Sequence, residues 1–170
     1  MPAHAGTRPM KHRVRQAAFN LIGPDVKGKH AIDLFAGSGA LGIEAISRGA
    51  ARATFVEQHV AAAAIIRENV RSLQVEQRVA VVEGSTFAWV RRELPETDPP
   101  WLVFCTPPYD FYEGRRDAMI QMLDRLLQAA PPHSAFVVEA DRRFAFDKLP
   151  CGEAWDVRRY PPAILGILRP

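Results

Sequence analysis

The chain is poor in cysteine and contains no long apolar run. Its only cysteines, Cys105 and Cys151, stand far apart with no CxxC spacing, which excludes a disulfide framework and a cysteine-built zinc site. No metal site is expected. No apolar stretch approaches the ~20 residues that a membrane-spanning helix requires. A basic-then-apolar signal sequence is also missing from the start, so we expect a cytoplasmic protein without a membrane partner. Internal repeats and low-complexity segments are absent as well.

Acidic residues are missing from one place in particular. No carboxylate occurs before Asp25, whereas Arg8, Lys11, Arg13 and Arg15 all fall there, with His4 and His12 nearby. Over the whole chain the imbalance is slight, 22 basic against 19 acidic residues, so the distribution carries the information. A local basic block neutralises phosphates and releases counterions, the sequence-independent part of nucleic-acid affinity. Those four cations are the candidate RNA contacts, against the plainer reading of a solvated terminus. Arg142, Arg143, Arg158 and Arg159 either extend such a surface or are ordinary solvated charge.

A chain of 170 residues, 48% hydrophobic, fits one domain with one sizeable core. We expect residues 1–170 to form that domain, with residues 1–28 as a basic N-terminal helical segment. Pro9 is placed to open a helix running to about Leu21, with Val14, Ala17, Ala18 and Leu21 on its apolar stripe. From Lys29 onward, short apolar runs alternate with amphipathic stretches. Strands are expected at 30–35, 53–57, 78–82, 101–105 and 135–139. Helices are expected at 39–48, 59–73, 86–92 and 113–130. The second of these should bury Val60, Ala63, Ile66, Val70 and Leu73, and the last Met119, Met122, Leu123, Leu126 and Leu127. This alternation means an α/β fold, a parallel sheet with helices on both faces. Two final strands, 154–160 and 163–168, are joined by Pro161-Pro162 with no helix between them, so the last should run antiparallel. A seven-stranded, mostly parallel sheet follows.

Gly37-Ser38-Gly39-Ala40-Leu41-Gly42 matches GxGxxG between a strand and a helix. Glycines there permit a tight turn and close ligand approach, and a helix start favours an anionic group. Glu57 ends the next strand, 20 residues after Gly37, at the distance where a carboxylate accepts ribose hydroxyls. Together these features indicate a nucleoside cofactor, but the turn alone does not separate NAD from S-adenosylmethionine (SAM). An NAD enzyme needs a further substrate-holding region, whereas the residues after Glu57 complete the same sheet. Asp33 also suits SAM, because a nearby carboxylate balances an ammonium and a sulfonium.

Thr106-Pro107-Pro108-Tyr109 ends the fourth strand abruptly. An exocyclic base amine is a weak nucleophile because its lone pair is delocalised into the ring. The Thr106 hydroxyl and the Pro107 carbonyl could accept its two N–H bonds and aim that lone pair at a sulfonium methyl, so positioning supplies most of the catalysis. The prolines fix φ and remove donors, and Tyr109 offers a ring on which a flipped base stacks for ~1–3 kcal/mol. The plainer reading is a Pro-Pro turn with Tyr109 as packing. Cys105 precedes the prolines and is expected in the core, not as a nucleophile.

The stretch Asp33 to Ala45, continuing through Ser47-Arg48-Gly49-Ala50 and Phe55-Val56-Glu57, closely resembles the RsmD family of guanine-N2 methyltransferases of small-subunit ribosomal RNA. Thr7-Arg8-Pro9, Arg13-Val14-Arg15 and Phe19-Asn20 are similar to that family's N-terminal segment. The resemblance implies a Rossmann-like methyltransferase fold that uses SAM. It implies a cofactor site at Asp33, Phe35, Ala36, Gly37, Ser38, Gly39, Glu57, Gly84 and Ser85. The expected partner is ribosomal RNA or the small ribosomal subunit, met by a monomer. Three positions depart from the family pattern: Thr106 stands where Asp or Asn is usual, Gly84-Ser85 where an acidic residue commonly meets the adenine, and Tyr160-Pro161-Pro162 where Tyr-Gly is usual. Methylation of adenine N6 in DNA or of a protein glutamine remains an alternative, as does a SAM- and RNA-binding module without catalysis.

Overall fold

The computed structural model describes residues 12–170. Among them, parallel strands and helices alternate around a seven-stranded sheet of order β3-β2-β1-β4-β5-β7-β6. In chain order the elements are α1 (His12–Ile22), β1 (His30–Asp33), α2 (Ala40–Ser47), β2 (Arg52–Glu57), α3 (Val60–Ser72), β3 (Val79–Glu83) and α4 (Thr86–Arg92). They continue with β4 (Trp101–Cys105), α5 (Phe111–Gly114), α6 (Arg116–Ala129), β5 (Ala135–Asp141), β6 (Asp156–Tyr160) and β7 (Ala163–Leu168). The last strand is antiparallel to both β5 and β6, as expected of a hairpin with no crossover helix. The result is the seven-stranded, mostly parallel Rossmann-like α/β sheet expected from the sequence.

Two apolar layers flank the sheet. On one face Val14, Ala18 and Phe19 of α1, Leu41 and Ala45 of α2, and Ile66 and Val70 of α3 pack on Phe55, Leu102 and Phe104. On the other, Phe87 and Trp89 of α4 and Met119, Met122, Leu123 and Leu126 of α6 pack on Trp101, Val103 and Cys105. Successive β4 residues thus serve opposite faces, and all five are buried, as a central strand covered on both sides requires.

The structure corrects several sequence expectations. Val60 is 68% exposed and Leu73 54% exposed, because they sit at the two ends of α3, Val60 as its first residue and Leu73 just past its last. The helix expected at 113–130 is two helices, with Arg115 between them at φ −131°, and Leu127 is only partly buried. In α1, Phe19 and Ile22 are buried with Val14 and Ala18, while Ala17 and Leu21 are partly exposed. Strand β6 begins at Asp156, two residues after its expected start. The expected opening of α1 at Pro9 lies outside the described residues.

Helix α2 lies very close to β2 because Gly42 faces the buried Phe55 ring. A Cβ on Gly42 would come within 2.4 Å of Phe55 Cε1 and 2.7 Å of its Cζ. The ring is held in the core and has no room to yield. Gly42→Ala is therefore expected to cost ~1–3 kcal/mol, the usual range for overpacking, as measured by urea unfolding. The loss should be smaller in a Phe55→Leu background; equal losses in both backgrounds would show that the contact is not the cause.

Candidate active site

The sheet order reverses between β1 and β4, so the crossovers leave these neighbours in opposite directions, and a crevice opens at the carboxyl ends of the strands. Asp33 pairs with Phe104, and Leu34 N–H donates to the Phe104 carbonyl at 3.0 Å. The glycine turn and the Thr106 corner consequently leave the same edge side by side. A cleft lies there, and its walls include Phe35, Glu57, Ser85, Thr106 and Pro108.

On the cofactor side, Gly39 adopts φ +83°, a left-handed conformation that favours glycine. A Cβ on Gly37 would meet nothing within 4 Å, so the backbone there faces open space. Glu57 is anchored at both oxygens: Gly37 N–H donates to Oε2 at 2.7 Å and His59 N–H to Oε1 at 2.8 Å. Each oxygen keeps a further lone pair for a ribose hydroxyl. Gly37 N–H serves Glu57 and Gly42 N–H serves Asp33 Oδ2 at 3.3 Å.

Asp33 is 1% exposed, and among the described residues its Oδ1 has no hydrogen-bond partner. Burial raises its pKa from 3.8 to about 7; the Gly42 N–H opposes the shift and the negative charge of Glu57 adds to it. A buried orphan carboxylate oxygen and a second carboxylate beside an open turn make a donor set that fits a cationic nucleoside ligand such as SAM.

The remaining wall is aromatic. The Phe35 ring stands 6.0 Å from Phe87 and 5.9 Å from Phe111, and all three residues line the cleft with Val56, Gln58, His59 and Thr86. Arg115 lies over Phe111, its guanidinium carbon 4.6 Å from the ring centre. Thr86 donates its hydroxyl to the Leu34 carbonyl, which ties the start of α4 to the end of β1. Of this wall the sequence reading named only Phe35. Phe87, two residues after Ser85, and Phe111, two after Tyr109, were its available signals.

The other expected residues are distributed as follows. Ala36, Gly37, Ser38, Gly39 and Gly84 belong to the neighbouring turns and not to the cleft wall itself. Ser85 lines the cleft and also caps α4, accepting from Ala88 N–H at 3.4 Å. Pro107 is buried. The Pro108 carbonyl is taken by Phe111 N–H at 3.0 Å, whereas among the described residues nothing donates to the Pro107 carbonyl. Tyr109 is half-buried and donates its hydroxyl to Glu139 Oε1 at 2.7 Å. Cys105 is fully buried, and its pKa is pushed up by that burial, which suits a core thiol. Arg13 is exposed and Arg15 partly so on α1; Arg8 and Lys11 lie outside the described residues. Arg143 and Arg158 are engaged by Asp141 and Asp156.

Comparison with known proteins agrees with this fold. The family model described as Conserved hypothetical protein 95 matches residues 1–163. The Escherichia coli (strain K12) protein named Ribosomal RNA small subunit methyltransferase D is 34% identical over 124 residues, 73% of this chain and 60% of its own length. The chain thus spans about three fifths of that relative. A solved Escherichia coli chain, yhhF, provisionally named a methyltransferase, superimposes with a TM-score of 0.75 at 26% identity, covering 95% of this chain and 87% of that one. A Salinibacter ruber RNA methyltransferase solved with S-adenosyl-L-homocysteine shares the fold, with a TM-score of 0.65 at 18% identity over 95% of this chain and 92% of its own.

The raised pKa of Asp33 has a thermodynamic sign. The unfolded chain ionises this group from 3.8 upward, whereas the folded chain resists until about 7. Its contribution to stability is therefore complete below the lower value and is lost as pH rises through the upper one. Asp33→Asn should flatten the fall in unfolding free energy between about pH 4 and about pH 7. A variant that falls as steeply as the wild type would place the pH dependence elsewhere.

Proposed function

Since the chain belongs to the Conserved hypothetical protein 95 family, we propose that it transfers a methyl group from SAM to the exocyclic N2 of a guanine in small-subunit ribosomal RNA. The observation that carries this reading is the cleft that Phe35, Glu57 and Ser85 share with Thr106 and Pro108. A cofactor held by the first three and an amine held at the corner that carries the last two would lie in one enclosure. We assign Asp33, Phe35, Ala36, Gly37, Ser38, Gly39, Glu57, Gly84 and Ser85 to the cofactor, and Thr106, Pro107, Pro108 and Tyr109 to the acceptor.

When bound, SAM supplies a methyl carbon on a sulfonium; the amine lone pair forms the new C–N bond as the C–S bond breaks, and one amine proton leaves to water. The chain's own residues bind and orient. Glu57, held by two N–H groups, offers a fixed acceptor for ribose hydroxyls at no further cost of orientation. Thr106 Oγ1 and the Pro107 carbonyl accept the two amine N–H bonds and turn the lone pair out of conjugation. The aromatic wall of Phe35, Phe87 and Phe111 excludes water. RNA is brought in by the cationic segment carrying Arg8, Lys11, Arg13 and Arg15, on a single domain of residues 1–170 that acts as a monomer in the cytoplasm. Among the described residues no helix is long and apolar enough to cross a membrane.

The test is labelled-methyl transfer from SAM to purified small ribosomal subunits, with mass spectrometry of ribosomal RNA from cells with and without the gene. Loss of one N2-methylguanine in the deletion strain is the expected result; an unchanged guanine methylation pattern rejects the assignment. Adenine or glutamine products would redirect it to another amine. Two variants separate the halves of the site. Glu57→Ala should weaken SAM binding by roughly tenfold or more, since it removes a charged acceptor. Thr106→Ala should lower turnover by roughly tenfold with SAM affinity nearly unchanged.

A further inference from the structure

The acceptor corner is fastened to the neighbouring strand at one residue, Glu139. Cys105 pairs with Val138, so the next step along the two parallel strands sets Thr106 beside Glu139. Tyr109 donates its hydroxyl to Glu139 Oε1 at 2.7 Å, and Tyr112 donates its own to the Glu139 backbone carbonyl at 2.6 Å. The Tyr112 bond would form with any residue at position 139. The Tyr109 bond needs this side chain.

A carboxylate in that position is costly. Glu139 is 8% exposed, and among the described residues no arginine, lysine or histidine forms an ion pair with it. Burial raises its pKa, and the bond from Tyr109 lowers it. Packing alone would be served better by an apolar residue at 139 and by phenylalanine at 109. The hydroxyl and carboxylate together fix a ring orientation that packing leaves loose, next to the neutral Thr106.

We propose that Glu139 is a positioning residue for the acceptor base: through the Tyr109 hydroxyl it sets the plane of the Tyr109 ring, on which the base lies while Thr106 and the Pro107 carbonyl hold its amine. The inference rests on the assignment of Tyr109 to the acceptor. It extends the acceptor site to a strand that carries none of the residues expected from the sequence.

The experiment measures kcat, KM for small subunits, and SAM affinity in Tyr109→Phe, Glu139→Gln, Glu139→Ala and the double variant Tyr109→Phe/Glu139→Ala. Tyr109→Phe keeps the ring and the fold but removes the bond, and should lower kcat by roughly tenfold, the scale of a charged hydrogen bond, with SAM affinity unchanged. Glu139→Gln retains an acceptor oxygen and should keep kcat within about threefold of the wild type. The double variant should be no slower than the worse single one, since both remove the same interaction. Tyr109→Phe with wild-type kcat, additive losses, or a parallel fall in SAM affinity each overturn the inference while leaving the function intact. A wild-type chain that methylates no ribosomal substrate overturns the functional reading, and this inference with it.

Discussion

The parallel pairing of β1 with β4 is the constraint on which the molecule's chemistry depends. These strands are far apart in sequence, yet Asp33 stands opposite Phe104, so the chain leaves both strands at the same level of the sheet. A shift of one residue would turn the side chains of β4 to the opposite faces. Phe104 would lose Phe19, now 5.6 Å away on the α1 face, and Trp101, Val103 and Cys105 would lose α4 and α6. The register is therefore held by burial on both sides. The glycine turn and the Thr106 corner inherit their proximity from a core that has no chemical role of its own.

The second organising fact is the placement of negative charge. Asp33 and Glu57 lie at the ends of adjacent strands, both buried, and the negative charge of Glu57 raises the cost of ionising Asp33. Such an arrangement opposes stability in the free protein, since a buried carboxylate without a cation is expensive. It becomes favourable when a cation enters. Backbone N–H groups of Gly37, His59 and Gly42 hold the two acids in place, so a cationic ligand meets acceptors that need not reorganise.

Much of this was legible in the sequence because the signals are local. The GxGxxG turn, the acid at the end of β2, the apolar run of Trp101–Cys105 and the proline corner each declare themselves within a few residues. Strand β4 and helix α4 have the expected bounds. What local pattern could not carry is which residues meet across the fold. Val60 and Leu73 fit the apolar period of α3, but period says nothing of where the underlying sheet ends. Gly114, next to Arg115, was the available signal for the helix break; only the fold brings the Arg115 guanidinium over Phe111. The aromatic wall joins residues 35, 87 and 111 through three separate loops, and Glu139 looks from sequence like the polar end of an ordinary strand. The bond from Gly37 N–H to Glu57 could not be read for the same reason, since it exists only because β1 and β2 are neighbours.

Taken together, the cleft is electrically asymmetric. Glu57 stands in one wall with Asp33 on the neighbouring strand, whereas the opposite wall at Thr106 and Pro108 is uncharged, and the Glu139 carboxylate beyond it is bound by Tyr109. In the proposed reaction positive charge would move from a sulfonium toward an amine nitrogen, and so from the acidic end toward the neutral one. A fully ionised carboxylate at Thr106 would meet that charge directly. Threonine would meet it with an oxygen dipole, so orientation of the amine would carry more of the work than charge. That division explains why the acceptor corner is so rigidly built: two prolines, a helix start at Phe111, and two tyrosine hydroxyls bound to one residue of β5 leave its geometry little freedom. A corner that supplies little charge must supply position.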